Sequence, residues 1–103
     1  MTDPDDWLPD SVVVPIEDAI DLHPFLPRDI PSVVQSYIEA ASEAGLREVR
    51  LIHGRGKGIQ RERVRKVLEN HPLVREFREA PRERGGWGAT VVWLKVRPAG
   101  ASL

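Results

Sequence analysis

Val49-Arg50-Leu51-Ile52-His53-Gly54-Arg55-Gly56-Lys57-Gly58 runs from a short apolar segment into alternating glycines, and a helical pattern opens just beyond, near Gln60. This order predicts a strand, a loop and a helix N-terminus. A helix leaves its first N–H groups unpaired, and its dipole places partial positive charge there, so an anion is the expected occupant. Glycines at 54, 56 and 58 permit backbone angles closed to other residues and let a ligand come close to the main chain; Arg55 and Lys57 add cations between them. Phosphate is the ligand class these features suit. Neither nucleotide fingerprint fits, because GxxxxGK[ST] needs Ser or Thr where Gly58 stands, and GxGxxG needs Gly where Ile59 stands. Arg61, Arg63, Arg65 and Lys66 follow, with only Glu62 opposing them. The first of these cations sit where the dipole disfavours them, so compensation from outside the chain is expected. A solvated basic helix beside a glycine-rich turn is the alternative.

Upstream, Ala19–His23 alternates Ile20 and Leu22 with Asp21 and His23 and reads as a short strand, after which Pro24 and Pro27 impose a loop. Asp29 is the expected cap of a helix whose apolar stripe is Ile30, Val33, Val34, Tyr37, Ile38 and Ala41; Gly45 closes it. Glu48–Ile52 is the second strand, and a strand–helix–strand connection of this length makes it parallel to the first. The second helix covers Gln60–Asn70, buries Val64, Val67 and Leu68, and ends at His71-Pro72. Val74–Glu79 and Ala89–Val96 form two further strands across a turn at Arg82–Gly88. In the last strand, Thr90, Val92, Leu94 and Val96 alternate with Val91, Trp93, Lys95 and Arg97, one face apolar and one mixed, as expected if both helices pack on a single side. The expected fold is α/β: a two-layer βαβαββ sandwich with a four-stranded mixed sheet and both helices on one face. An extended, acidic N-terminal arm (1–18), pinned to the body through Trp7, precedes the domain (19–97), and a flexible tail (98–103) follows. Ligands of open α/β sheets gather beyond the carboxyl ends of parallel strands. Asp21, His23 and His53 fall there together with the glycine loop.

With 103 residues and 41% hydrophobic content the chain supports one modest core. It has no cysteine, which removes disulfides, thiol catalysis and thiolate metal sites and suits a reducing cytoplasm. No apolar run approaches the ~20 residues of a membrane span. A net charge of −1 conceals a division: residues 1–21 hold seven acidic side chains and no Lys or Arg, leaving the body at +6, and twelve of the fifteen basic residues are Arg. The planar guanidinium suits bidentate phosphate contacts.

Several segments in order resemble the Smr (small MutS-related) domain family, in the manner of its standalone bacterial members. Asp21-Leu22-His23 is similar to its DLHG signature, with Pro24 in place of Gly; His53–Gly58 followed by Arg61 is similar to HGKGTG-x-x-R, with Lys57 in place of Thr. His71-Pro72-Leu73-Val74 and Gly85–Thr90 resemble the HPxV and GGxGxT segments. The resemblance implies nucleic-acid binding, DNA or RNA, with endonuclease activity in some members. Two readings follow. In the first, phosphodiester hydrolysis, Asp21 orients a histidine, a divalent ion (Mg or Mn) or the attacking water, His23 or His53 is the general base or acid, and Arg55, Lys57, Arg61 and the amides around Gly54, Gly56 and Gly58 hold the phosphate. In the second, the same cations and amides clamp the backbone without cutting it, and Trp87, beside Arg82 and Arg84, stacks on an unpaired base. The plain structural alternative is that Asp21 pairs with Arg50 across the strands, the histidines fill hydrogen bonds at strand ends, and Trp87 is a buried turn residue.

Overall fold

The computed structural model describes residues 16–56 and 58–95. Most of the expected arm, Lys57, Val96 and the tail lie outside the described residues. The elements are β1 (Ala19–Asp21), α1 (Ile30–Glu43), β2 (Glu48–Ile52), α2 (Ile59–Asn70), β3 (Val74–Glu79) and β4 (Ala89–Leu94). The sheet order is β1-β2-β4-β3, with β1 parallel to β2 and both remaining pairs antiparallel. The mixed sheet and both helices agree with the sequence reading.

Strand alternation sets the layers. Val49 and Leu51 of β2 and Val92 and Leu94 of β4 join Ile30, Val34, Ile38 and Ala41 of α1 and Val64 and Leu68 of α2 in one buried cluster. Each such aliphatic side chain stabilises the fold by ~1.5–3 kcal/mol relative to exposure. The opposite face carries a smaller cluster of Ala80, Ala89 and Val91 with Ile52 and Trp93. Glu48 accepts from the Trp93 indole N–H at 3.0 Å and from Arg84 at 2.9 Å, while Arg50 donates through Nη1 to the Arg84 carbonyl at 3.1 Å and its buried Nε has no partner among the described residues. The Asp21–Arg50 pair of the plain structural alternative does not form: Asp21 bonds His23, and Arg50 donates to the Arg84 carbonyl.

The last strand ends at Leu94 rather than Val96, with Lys95 already outside it, and four further features differ from the sequence reading. First, β1 stops at Asp21 rather than His23. The last bond to β2 is Leu22 N–H to the Ile52 carbonyl at 2.9 Å; the next amide, His23 N–H, turns back to the Asp21 side chain, and Pro24 has no N–H to continue. Second, Asp29 makes no side-chain cap, because a 3-10 turn at Pro27–Asp29 runs straight into α1 and Asp29 is already helical (φ −92, ψ −12). Third, α2 begins one residue early, at Ile59. Last, the Arg82–Gly88 segment is two consecutive 3-10 turns, Arg82–Arg84 and Gly86–Gly88, and not a single hairpin turn. Gly45 closes α1 as expected, at φ +86, with Leu46 N–H reaching back to the Ala41 carbonyl at 3.0 Å.

Candidate functional site

Parallel pairing brings the carboxyl ends of β1 and β2 side by side, and two histidines emerge there with opposite fates. His23 is exposed. Asp21 Oδ1 accepts the His23 backbone N–H at 2.9 Å and faces the ring Nδ1 at 2.5 Å. The backbone N–H and then the ring hold the Asp21 carboxyl below its usual range, so it is ionised throughout neutral pH. A carboxylate only accepts, hence Nδ1 carries a proton, and in the neutral form of the ring Nε2 is the nitrogen with the lone pair. That Nε2 lies over the glycine loop: a Cβ on Gly54 would come within 2.7 Å of it, and Gly54 itself stands at φ +88.

His53 is buried, with 6% of its surface exposed. Its Nδ1 lies 3.1 Å from the Gly54 carbonyl, which fixes Nδ1–H as a donor; Nε2, 2.9 Å from the Thr90 hydroxyl, is left to accept. Burial pushes the imidazole pKa down, and the neighbouring Arg61 and His23 add to that, against the Gly54 carbonyl that favours the protonated ring. The ring is neutral, with both nitrogens engaged. The main chain is engaged too, since the His53 and Gly54 amides both donate to the Gly88 carbonyl, at 3.0 and 2.9 Å. Gly88 sits close at that contact: a Cβ there would meet Arg55 Cγ at 3.0 Å and the Gly54 carbonyl carbon at 3.4 Å, so the loop would have to give by a few tenths of an ångström.

The first two loop amides are therefore spent on the fold, and the open donors begin further on. Gly58, at φ +85, is the N-cap of α2 and has no side chain to offer its first turn. The N–H groups of Ile59, Gln60 and Arg61 therefore have no side-chain cap, and they border a depression of ≈ 240 Å³ lined also by His53, Gly54, Gly56 and Gly58. Gly56 corrects the expectation for this loop: its φ is not positive, and nothing lies within 4 Å of where a Cβ would project.

Arg61 lines this depression, and Trp87 packs against Arg61 and the loop beside it. The Trp87 indole N–H donates to the Arg55 carbonyl at 2.9 Å, its ring lies 3.9 Å from a Cβ placed on Gly58, and the Arg61 guanidinium stands 4.3 Å over it. Arg61 also reaches Glu79 at 3.8 Å. At 43% exposure, Trp87 is not a buried turn residue; one face is taken by Arg61. External compensation expected for the helix cations is thus partly internal, since Arg61 has Glu79 and Arg65 pairs with Glu69 at 3.2 Å, while Arg63 donates to the neutral Gln60 at 3.2 Å.

Thr90, Gly88 and Glu79 complete the site without having been assigned to it from sequence. Gly88 and Thr90 carried a signal, the ordered Gly85–Thr90 segment; Glu79 carried none. Among the described residues no three His, Cys, Asp or Glu side chains converge. Asp21 and His23 are bonded to each other and His53 is fully engaged, so this donor set does not fit a dedicated divalent-ion cradle.

A family model for the Smr domain matches residues 20–95, from the first strand to the end of the last. The chain belongs to the Smr domain family. This Smr domain is 42% identical over 62 residues to Endonuclease MutS2 of Caldicellulosiruptor saccharolyticus, covering 60% of this chain and 8% of that protein. It is 39% identical over 80 residues to Endonuclease MutS2 of Clostridium tetani, covering 78% of this chain and 10% of that protein. The chain thus spans about a tenth of the length of these relatives. Its fold is similar to the crystal structure of the Smr domain of Thermus thermophilus MutS2, with a TM-score of 0.72 at 35% identity over 80% of this chain and all of that one. It is also similar to YdaL, a stand-alone small MutS-related protein from Escherichia coli, with a TM-score of 0.71 at 30% identity over 76% of this chain and 64% of that one.

Proposed function

We propose that this Smr domain binds nucleic acid at the glycine loop and hydrolyses a phosphodiester bond there, with Asp21 and His23 as the acting pair. The observation that carries the reading is the Nε2 of His23, without a partner among the described residues and held by an ionised Asp21 over a loop that opens onto uncapped helix amides and Arg61. A phosphate in the depression meets the amides of Ile59–Arg61 and the Arg61 guanidinium, groups suited to charge developing on its oxygens. Nε2 takes the proton of the attacking water as its oxygen bonds to phosphorus; the P–O bond to the leaving oxygen breaks with its electron pair, and the imidazolium returns a proton to that oxygen. His53 is a positioning residue, fixing the turn through Gly54 and Thr90. The names of the MutS2 relatives support the nuclease reading.

Binding without cutting is the second reading, and a specific observation favours it: one unengaged imidazole nitrogen serves both base and acid, and Trp87 with Arg61 already forms a clamp. Labelled single-stranded, duplex and branched DNA and RNA, incubated with the protein with and without a divalent ion, separate the two. Affinity is expected to fall steeply with salt, and Arg55→Ala and Arg61→Ala each to reduce the slope by about one. Salt-independent affinity, or binding untouched in the double variant, removes the loop as a phosphate site; binding with no product under any condition leaves the clamp.

A further inference from the structure

Two depressions flank Arg61, and they differ in how their cations are spent. On the β3 side a hollow of ≈ 150 Å³ is lined by Arg61, Arg65, Arg78, Glu79, Phe77 and Thr90. Every arginine in it has its own carboxylate: Arg61 has Glu79 at 3.8 Å, Arg65 has Glu69 at 3.2 Å, and Arg78 has Glu76 at 2.9 Å. On the other side, Gly58 and Ile59 lead from the loop depression into a groove of ≈ 360 Å³ along α2, which passes Glu62 to reach Arg63 and Lys66. The same two cations then line a cleft of ≈ 390 Å³ between the helices, with Gln35 from α1 and Asn70 and His71 from the end of α2.

Among the described residues neither Arg63 nor Lys66 has a carboxylate within ion-pair distance, Glu62 in the same groove included; Arg63 donates to the neutral Gln60 at 3.2 Å. Ile59, Arg63, Lys66 and Asn70 are spaced by four, three and four residues, which puts them on one stripe of the helix. That stripe is about 16 Å long, and its two cations stand about one helical turn apart along it. His71, at its far end, is buried and supplies no donor to a strand. His71 Nδ1 accepts the Leu73 N–H at 3.1 Å, so Nε2 carries the ring proton; that buried N–H has no hydrogen-bond partner, with Glu39 at 3.9 Å, and Glu39 does not line the cleft.

We propose that a bound nucleic-acid strand leaves the glycine loop on one side only, over Arg63 and Lys66 toward the cleft between the helices, and not over Arg65 and Arg78. This rests on the phosphate reading of the loop. Entering the β3 side requires each arginine to exchange a carboxylate it already holds for a phosphate, with no net gain in charge neutralisation. On the α2 side each contact is new and releases counterions from the strand.

Single-stranded oligonucleotides of graded length, starting from a dinucleotide, test this on the full chain as competitors of a labelled strand. Affinity in the unmodified protein is expected to rise with length. Arg63→Ala with Lys66→Ala should abolish most of that rise, lower the salt slope for the long strand by about 1.4, and leave dinucleotide affinity unchanged. Arg65→Ala with Arg78→Ala should change neither rise nor slope. Both pairs lie on the surface, and thermal unfolding of each variant is expected to match the unmodified protein. A rise undiminished in the first pair, or abolished by the second, overturns the exit while the loop reading stands. Dinucleotide affinity unaffected by Arg55→Ala and Arg61→Ala overturns the loop reading and the exit with it, as does a protein that binds no strand.

Discussion

His23 and His53 leave the ends of adjacent parallel strands a residue or two beyond the last backbone pair, yet they have nothing in common physically. His23 is exposed, tied at Nδ1 to an ionised Asp21 and open at Nε2. His53 is buried, with its nitrogens and amide committed to Gly54, Thr90 and Gly88. One ring has a proton to exchange; the other has hydrogen bonds to keep. A shared position in the topology therefore locates a site without distributing its chemistry, and the second partner of each ring decides its role.

The largest effect expected from this contrast is on cleavage. His23→Ala should lower the rate by ~10²–10⁴-fold, the usual yield of a general acid–base group, and leave stability unchanged because the side chain is exposed. Asp21→Asn should lower the rate in the same assay with less effect on affinity, since it keeps the shape and removes the charge that orients the ring. His53→Ala should do the reverse. Its loss leaves Thr90 and the Gly54 carbonyl without partners in a buried place, at about 1–3 kcal/mol by chemical denaturation, while the rate per folded molecule stays within about tenfold. Equal rate losses in His23→Ala and His53→Ala, at temperatures where both are folded, would return His53 to the reaction.

The next effect concerns the glycines that hold the rings together. Gly54→Ala meets two objections at once, a φ of +88 and a Cβ 2.7 Å from His23 Nε2. It should displace His23 from the loop and depress cleavage by at least an order of magnitude. Gly56→Ala meets neither, and should leave stability and cleavage nearly unaltered. If the two variants behave alike, His23 does not act from over Gly54.

These two glycines also show what was legible in the sequence. Local periodicity carries the elements: alternation in Glu48–Ile52 and the last strand, and the helical stripe from Ile30 to Ala41, give βαβαββ and the packing face. The Asp21–His23 spacing of two was equally local. His53 was not, because its decisive partners, Thr90 and Gly88, arrive from β4 and the turn before it through antiparallel pairing, which no feature near His53 encodes. Gly54 and Gly56 are identical letters in one motif; their difference lies in φ and in the ring above Gly54. Asp29 failed as a cap for a similar reason, since the 3-10 turn preceding it left it inside the helix.

The smallest expected effect is a pH dependence of stability, and its sign tests whether His53 is held neutral. Burial, with Arg61 and His23 nearby, lowers the folded-state pKa of His53 below the ordinary value near 6.5. As pH falls through about 6.5, the unfolded chain takes up this proton and the folded chain does not, so the unfolded state binds more protons and stability drops. The contribution is complete above that pH and is lost on acidification, at no more than ~1.4 kcal/mol per pH unit for one proton. Asp21 and Glu48, held below the usual carboxylate range, lose theirs only at more acidic pH, so the window from about pH 7 to 5 is clear of them. Urea unfolding of the unmodified protein and of His53→Gln, compared across that window, isolates the ring. The stability difference between them should move against the unmodified protein as pH falls. Movement the other way means that the folded state favours the charged imidazole, which the neutral ring between the Thr90 hydroxyl and the Gly54 carbonyl cannot do. Arg61→Ala adds a finer check: removing that cation should flatten the dependence, because one of the groups holding His53 neutral is gone.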